Sequence, residues 1–159
     1  MITLNEQSTQ NFEWTKYKEK VILLNNDLVG YISYWVFDKK SIYNEIYEDH
    51  AFYMDEDTHM KEETAQFILN RIGELPCIYI DEIYINKDNR GFGIGSSIIN
   101  ELELEYQNTS IVLRIGPTRE DIAKVMSDES YSKELSKKLD NFYKKLGFRN
   151  QDTIYFKNI

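Results

Sequence analysis

Cysteine, histidine and proline are nearly missing from this 159-residue chain, with one, two and two copies. The lone Cys77 has no partner for an internal disulfide, which fits a reducing compartment and a cytoplasmic location. His50 and His59 lack the spaced ligands that a metal centre needs, so no metal is expected. No apolar run approaches the roughly 18 residues of a membrane-spanning helix. The opening MITLNEQSTQNFEW has no basic start followed by an apolar block, so no signal peptide is read there. Positive charge is scarce too. Nineteen Lys and Arg stand against 27 Asp and Glu, a net charge of -8. That balance argues against a nucleic-acid surface and against anionic membranes. It would draw in a small cation such as an amine, although solubility alone is the simpler reading of the charge.

Apolar residues make up 42% of the chain and aromatics 14%, enough for one packed core. No repeat, linker or composition break divides it, so one domain over 1–159 is expected. Two β-rich runs, Lys20 to Leu24 and Leu28 to Phe37, flank Asn25-Asn26-Asp27 and read as a hairpin. A weaker strand could precede it. From Asp38 to Thr58 the chain is irregular and acidic. That pattern fits a binding loop in which Asp55, Glu56 and Asp57 face an amine, or more simply a solvated loop. Met60 to Ile72 has helical spacing and stops at Gly73. Ile78 to Ile85 reads as a strand, with Asp81 and Glu82 in its middle. Two acids in an apolar strand are costly unless solvated, paired or functional.

A glycine-rich turn follows the strand, and after it a helix with Ile98, Ile99, Leu102 and Tyr106 on one face. Ser110 to Ile115 is a short strand ended by Gly116-Pro117. Thr118 and Asp121 resemble a capping box for a short helix with Ile122, Val125 and Met126 inside. After a break over Asp128 to Ser132, Lys133 to Leu146 carries the stripe Leu135, Leu139, Phe142, Tyr143 and Leu146. Gly147 ends it. Thr153 to Phe156 is the last expected strand.

Gly91, Gly93 and Gly95 are three of the seven glycines. Alternate glycines between a strand and a helix suit backbone amides turned toward an anion rather than packing. The helix N-terminus adds its dipole at the same place. A Walker loop needs Gly-Lys before Ser or Thr, and here Gly95-Ser96 carries no lysine. A dinucleotide fingerprint needs G-x-G-x-x-G early in a βαβ unit, and here the spacing is G-x-G-x-G after a hairpin.

The pattern that fits is Arg90-x-x-Gly93-x-Gly95. It resembles the acetyl-CoA loop of the GNAT superfamily of N-acetyltransferases. YIDEIYINKDNRGFGIGSSII is similar to the matching segment of spermidine/spermine N-acetyltransferases, above all at RGFGIGS. A second match, NFYKKLGF over Asn141 to Phe148, follows in the family's order. The resemblance is strong from about Ile78 to Phe148. The segment from Gly116 to Leu135 is longer than the family pattern.

The resemblance implies an α/β (α+β) domain with the GNAT fold: a mixed, mostly antiparallel sheet flanked by helices, with a splayed central strand pair. It implies acetyl-CoA as cosubstrate. The pyrophosphate would lie on Arg90, Gly91, Phe92, Gly93, Ile94, Gly95 and Ser96, with Asn141 nearby. Ile83, Tyr84 and Ile85 would pair with the pantetheine arm, and the Ile85 amide would polarise the thioester carbonyl. Asp81 or Glu82 would take the proton of the attacking amine, which at a pKa near 10.4 is otherwise held. Tyr143 would protonate the departing thiolate. The acceptor would be a small-molecule or protein amine, and a homodimer is compatible with the reading. A rival of another class is a non-catalytic module that binds acyl-CoA or a protein partner. A further enzymatic rival acylates a protein N-terminus.

Overall fold

The computed structural model describes residues 1–11, 15–37, 64, 67, 76–118 and 120–159. One seven-stranded sheet organises them. Its strands are β1 (Ile2–Asn11), β2 (Thr15–Leu24), β3 (Asp27–Phe37), β4 (Cys77–Ile85), β5 (Ser110–Arg114), β6 (Arg149–Gln151) and β7 (Ile154–Asn158). The spatial order is β1-β2-β3-β4-β5-β7-β6. Every pairing is antiparallel except β4 with β5. Among the described residues the α-helices with defined bounds are α1 (Ile94–Glu105), α2 (Ile122–Ser127) and α3 (Glu129–Lys145). None of the described helices is long and apolar enough to cross a membrane.

The β2–β3 hairpin forms where its turn residues predict it. Asn25 and Asn26 both take positive φ, 52° and 73°. A two-residue turn with both centres left-handed matches the twist of the flanking strands, and asparagine tolerates that conformation. β1 adds to the open edge of β2, from Ile2 opposite Leu24 to Asn11 opposite Lys16.

Two apolar layers cover the centre of the sheet. On one face Ile32, Tyr34, Ile78 and Ile80 pack with Ile98, Ile99 and Leu102 of α1 and Tyr143 of α3. On the other, Trp35, Cys77, Tyr79, Val112 and Phe156 pack with Phe67. α1 buries Ile94, Ile98, Ile99 and Leu102, a one-sided stripe at helical spacing. Each such side chain contributes roughly 1.5–3 kcal/mol on burial, so Ile98→Asp would break the docking of this helix.

Three expectations change. The break over Asp128 to Ser132 shrinks to Asp128, whose Oδ1 accepts the Tyr131 amide at 3.1 Å, and α3 starts at Glu129. An N-cap aspartate and an acidic first turn suit that start. α2 buries none of its residues, and Ile122 and Met126 are exposed rather than inside. The last strand is Ile154–Asn158. β6 joins it through a turn at Asp152, whose φ is 52°. The acidic loop from Asp38 to Thr58 and most of the Met60 to Ile72 helix lie outside the described residues, although Thr64 and Phe67 are helical and buried.

Candidate functional site

The site begins where β4 and β5 part. They pair only from Cys77 opposite Ser110 to Ile80 opposite Leu113. Beyond Ile80, β4 continues against β3 alone, to Ile85 opposite Gly30. A β-bulge marks the change: Tyr34 faces Ile80 and Ser33 faces Glu82, which leaves Asp81 as the extra residue. Bulges bend a strand and raise its twist, which separates neighbours. Gly30 lets β3 follow, because a Cβ there would lie 2.0 Å from the Tyr84 carbonyl oxygen.

The bulge also decides where the carboxylates point. Glu82 lies opposite Ser33, on the face away from α1. Asp81 lies on the same face, beside Tyr17 and Tyr79. A regular strand would send two successive residues to opposite faces. Burial, and beyond it the Asp81 and Glu19 charges, push the Tyr17 phenol up against the opposing Ser33 hydrogen bond. Meanwhile Ile83 and Ile85 return to the α1 side.

The backbone of the outer half of β4 is open on its β5 side. The Asn86 amide donates to the Val29 carbonyl at 2.8 Å, toward β3. Strand groups alternate in direction, so the Ile85 amide and carbonyl point into the gap. The Ile85 carbonyl accepts from Arg90 Nε at 2.8 Å, and its amide is left facing the gap.

The glycine turn follows. Gly91 and Gly93 have φ of 84° and 79°, and a Cβ at either would meet nothing within 4 Å. They are needed for backbone conformation. Gly95 differs: a Cβ there would lie 2.9 Å from the Phe142 ring. Contact with Phe142, rather than backbone conformation, is what a side chain at this third glycine would disturb, contrary to the sequence expectation. Gly93 caps α1 without a side-chain bond, and no acid sits in the first turn. The first intrahelical bond runs from the Ser97 amide to the Gly93 carbonyl. The amides just before it have no helical partner and face outward at the positive end of the dipole.

A cavity of about 480 Å³ lies over this turn. Ile83 and Ile85 form its base, and Gly91, Gly93, Ile94, Gly95 and Ser96 form one wall. Leu135, Lys138, Leu139, Phe142 and Tyr143 of α3 form the other. A second cavity of about 190 Å³ occupies the divergence itself, lined by Asp81, Glu82 and Arg114 among others. Tyr143 lines both cavities. It is 8% exposed and contacts the rings of Phe142, Phe148 and Tyr155. Burial pushes its phenol up to about 12, so it is protonated at neutral pH.

Of the residues read from the sequence, Ile83, Ile85, Arg90, Gly91, Gly93, Ile94, Gly95, Ser96 and Tyr143 line the larger cavity. Asp81 and Glu82 line the smaller. Phe92 is 78% exposed, Asn141 is exposed, and neither lines either of these two cavities. The Tyr84 side chain instead stacks on Tyr31 at 5.3 Å and donates to Glu120. Arg90 is engaged within the protein, by Ile85, Glu120 and Asp121. Sequence reasoning missed Lys138, and it read Leu139 and Phe142 only as core. Their stripe serves both purposes, because the cavity is cut into the seam between α3 and the sheet. Among the described residues no His, Cys, Asp and Glu group could hold a metal.

The model of the Acetyltransferase (GNAT) family matches residues 3–118. No curated protein matches the chain. Solved structures that resemble it include Arabidopsis thaliana Naa50 in complex with the bisubstrate analogue CoA-Ac-MVNAL. That match has 18% identity and a TM-score of 0.46, and covers 89% of this chain and 72% of that one. Another is the Drosophila melanogaster polyamine N acetyltransferase, which forms N acetylagmatine. There the identity is 11% and the TM-score 0.49, over 89% of this chain and 74% of that one. A. thaliana NAA60 with a bisubstrate analogue is 13% identical, with a TM-score of 0.48 over 90% of this chain and 75% of that one. Likenesses at this level say nothing about the acceptor.

Proposed function

Since the chain belongs to the Acetyltransferase (GNAT) family, we propose that it transfers acetyl from acetyl-CoA to a primary amine, by direct attack in a ternary complex. The observation that carries this reading is Tyr143 at the junction of two cavities, one over an amide cradle and one lined by carboxylates.

The residues present fit acetyl-CoA. Gly91 and Gly93 hold an open turn at the N-terminus of α1, which suits a pyrophosphate. The exposed edge of β4 at Ile83 and Ile85 suits an extended arm with amide groups of its own. When bound, acetyl-CoA supplies a thioester as acyl donor. The Ile85 amide, which points into the gap, would donate to the thioester carbonyl oxygen as negative charge develops there. Lys138 stands across the larger cavity from the glycine turn as a cation for phosphate.

Proton transfer falls to side chains on either side of the divergence. An alkylammonium has a pKa near 10.4, so freeing its lone pair at pH 7 costs about 4–5 kcal/mol. Asp81 or Glu82, directly or through water, accepts that proton. The nitrogen bonds to the carbonyl carbon as the C–S bond breaks, Tyr143 Oη gives its proton to the sulfur, and the nitrogen releases its second proton through water to the tyrosinate. A thiolate, the conjugate base of a thiol with pKa near 8.5, is a weaker base than a tyrosinate, so reprotonation of Tyr143 draws the transfer forward. The acceptor is a small cationic amine or an exposed lysine side chain, in keeping with the net charge of -8.

The test is release of free CoA thiol from acetyl-CoA over a panel of diamines, monoamines, lysine peptides and N-terminal peptides. Turnover with an amine that Tyr143→Phe lowers by about 10²-fold or more is expected. CoA binding without turnover on any acceptor would favour the non-catalytic module instead.

A further inference from the structure

We propose that Asp121 is a positioning residue: its carboxylate fastens the glycine turn to the opposite rim of the larger cavity, and so sets how tightly acetyl-CoA is held. This rests on the acetyl-CoA reading above.

The segment from Gly116 through α2 needs an anchor, because hydrophobic burial does not supply one. α2 has no buried residue, and Met126 is 83% exposed. Yet Gly116, Pro117 and Thr118 line both cavities, so the placement of this segment shapes the site. Asp121 is the buried point, 6% exposed. Its Oδ2 accepts from Thr118 Oγ1 at 2.9 Å and from Arg90 Nη1 at 3.4 Å. Its Oδ1 accepts from Tyr131 Oη at 3.1 Å. One carboxylate thus joins the rim segment, the turn after β4 and α3.

The surroundings reinforce it. Burial alone would raise the Asp121 carboxyl, but the Thr118 and Tyr131 hydrogen bonds and the Arg90 and Lys87 charges outweigh burial and hold it below its ordinary value. The group is therefore charged at neutral pH. Glu120 adds bonds to Arg90 Nη2 at 3.1 Å and Lys87 Nζ at 3.4 Å, but in a more exposed place, where such pairs are weak. Lys124 Nζ sits 4.1 Å from the Tyr131 ring centroid. Arg90 also donates from Nε to the Ile85 carbonyl. Its guanidinium therefore transmits the position of Asp121 to the backbone of both the strand end and the glycine turn. The extra length between Gly116 and Leu135 finds a role in this link.

The experiment compares wild type, Asp121→Asn, Arg90→Gln and the double variant. Asparagine keeps the shape and can still accept from Tyr131, but it loses the charge that holds Arg90. Asp121→Asn should weaken CoA by about tenfold by calorimetry, and raise the acetyl-CoA KM alike. It should leave kcat and the amine KM within about twofold. The double variant should be no worse than Arg90→Gln alone, because the two act as a unit. In the free protein, amide exchange at Gly91–Gly93 and at Gly116 and Thr118 should rise together. Should Asp121→Asn not fold, Tyr131→Phe removes one bond and should give a smaller loss of the same kind. Additive losses, a fall in kcat as large as the rise in KM, or unchanged exchange at the two segments would overturn the proposal. Wild type that binds no CoA would sink the acetyl-CoA reading, and with it the claim on affinity. Wild type that binds while Asp121→Asn binds equally well would sink this inference alone.

Discussion

β4 has two halves with opposite properties. From Cys77 to Ile80 it is paired on both sides and fully buried, with apolar side chains on both faces. From Asp81 to Ile85 it is paired on one side, half-buried, and carries two acids. The inner half satisfies its backbone within the sheet. The outer half leaves strand groups facing a cavity, which a buried chain tolerates only where water or a ligand replaces the missing partner. The difference shows how one strand supplies both rigidity and chemistry. The bulge at Asp81 is the hinge between the two, and it puts both carboxylates on one face.

Tyr143 stands at the seam. Tyr143→Phe keeps the ring contacts and removes the proton, so kcat should fall by about 10²–10⁴ with CoA affinity unchanged, as read by thiol release and calorimetry. Loss of binding instead would make the tyrosine structural. Next, the halves should differ in stability. Ile80→Ala should cost about 2–5 kcal/mol, and Ile83→Ala less, because Ile83 is already partly exposed. Denaturant midpoints of the two variants decide this. Equal losses would mean the outer half is as much core as the inner.

The carboxylates come third. Glu82→Gln and Asp81→Asn should each lower kcat/KM for the amine, and whichever is the base should lose about 10²-fold. The pH profile of the wild type belongs with this. Tyr143 keeps its proton to about 12, so between pH 6 and 10 the rate should rise as the amine deprotonates, with no alkaline limb from the acid. The sign for stability is the reverse. A raised tyrosine pKa means the folded chain holds the proton more tightly. Its contribution is therefore complete below the unfolded value near 10 and declines above it. Smallest should be the glycine pair. Gly93→Ala forces a left-handed alanine, at about 1–2 kcal/mol, whereas Gly95→Ala need only displace the end of the Phe142 ring.

Local features were legible in the sequence. The hairpin turn at Asn25-Asn26, the glycine turn and the α3 stripe each carry their signal within a few residues. What escaped depends on distant partners. The bulge is a matter of register between β3 and β4, so Asp81 and Glu82 could be named without knowing that they share a face. Thr118 and Asp121 have capping spacing, but Asp121 also reaches Arg90, 31 positions away. β6 consists of three exposed residues and is a strand only because β7 pairs with it. Gly95 looks like its neighbours in sequence, and only the approach of α3 sets it apart.

The central claim is that the open edge of β4 receives the acyl donor. Amide hydrogen exchange with and without CoA tests it residue by residue. Protection should appear at Ile83 and Ile85 and in the Gly91–Ser96 turn, while Ile78 and Ile80 stay as they were. CoA that binds without protecting Ile83 and Ile85 would contradict the account.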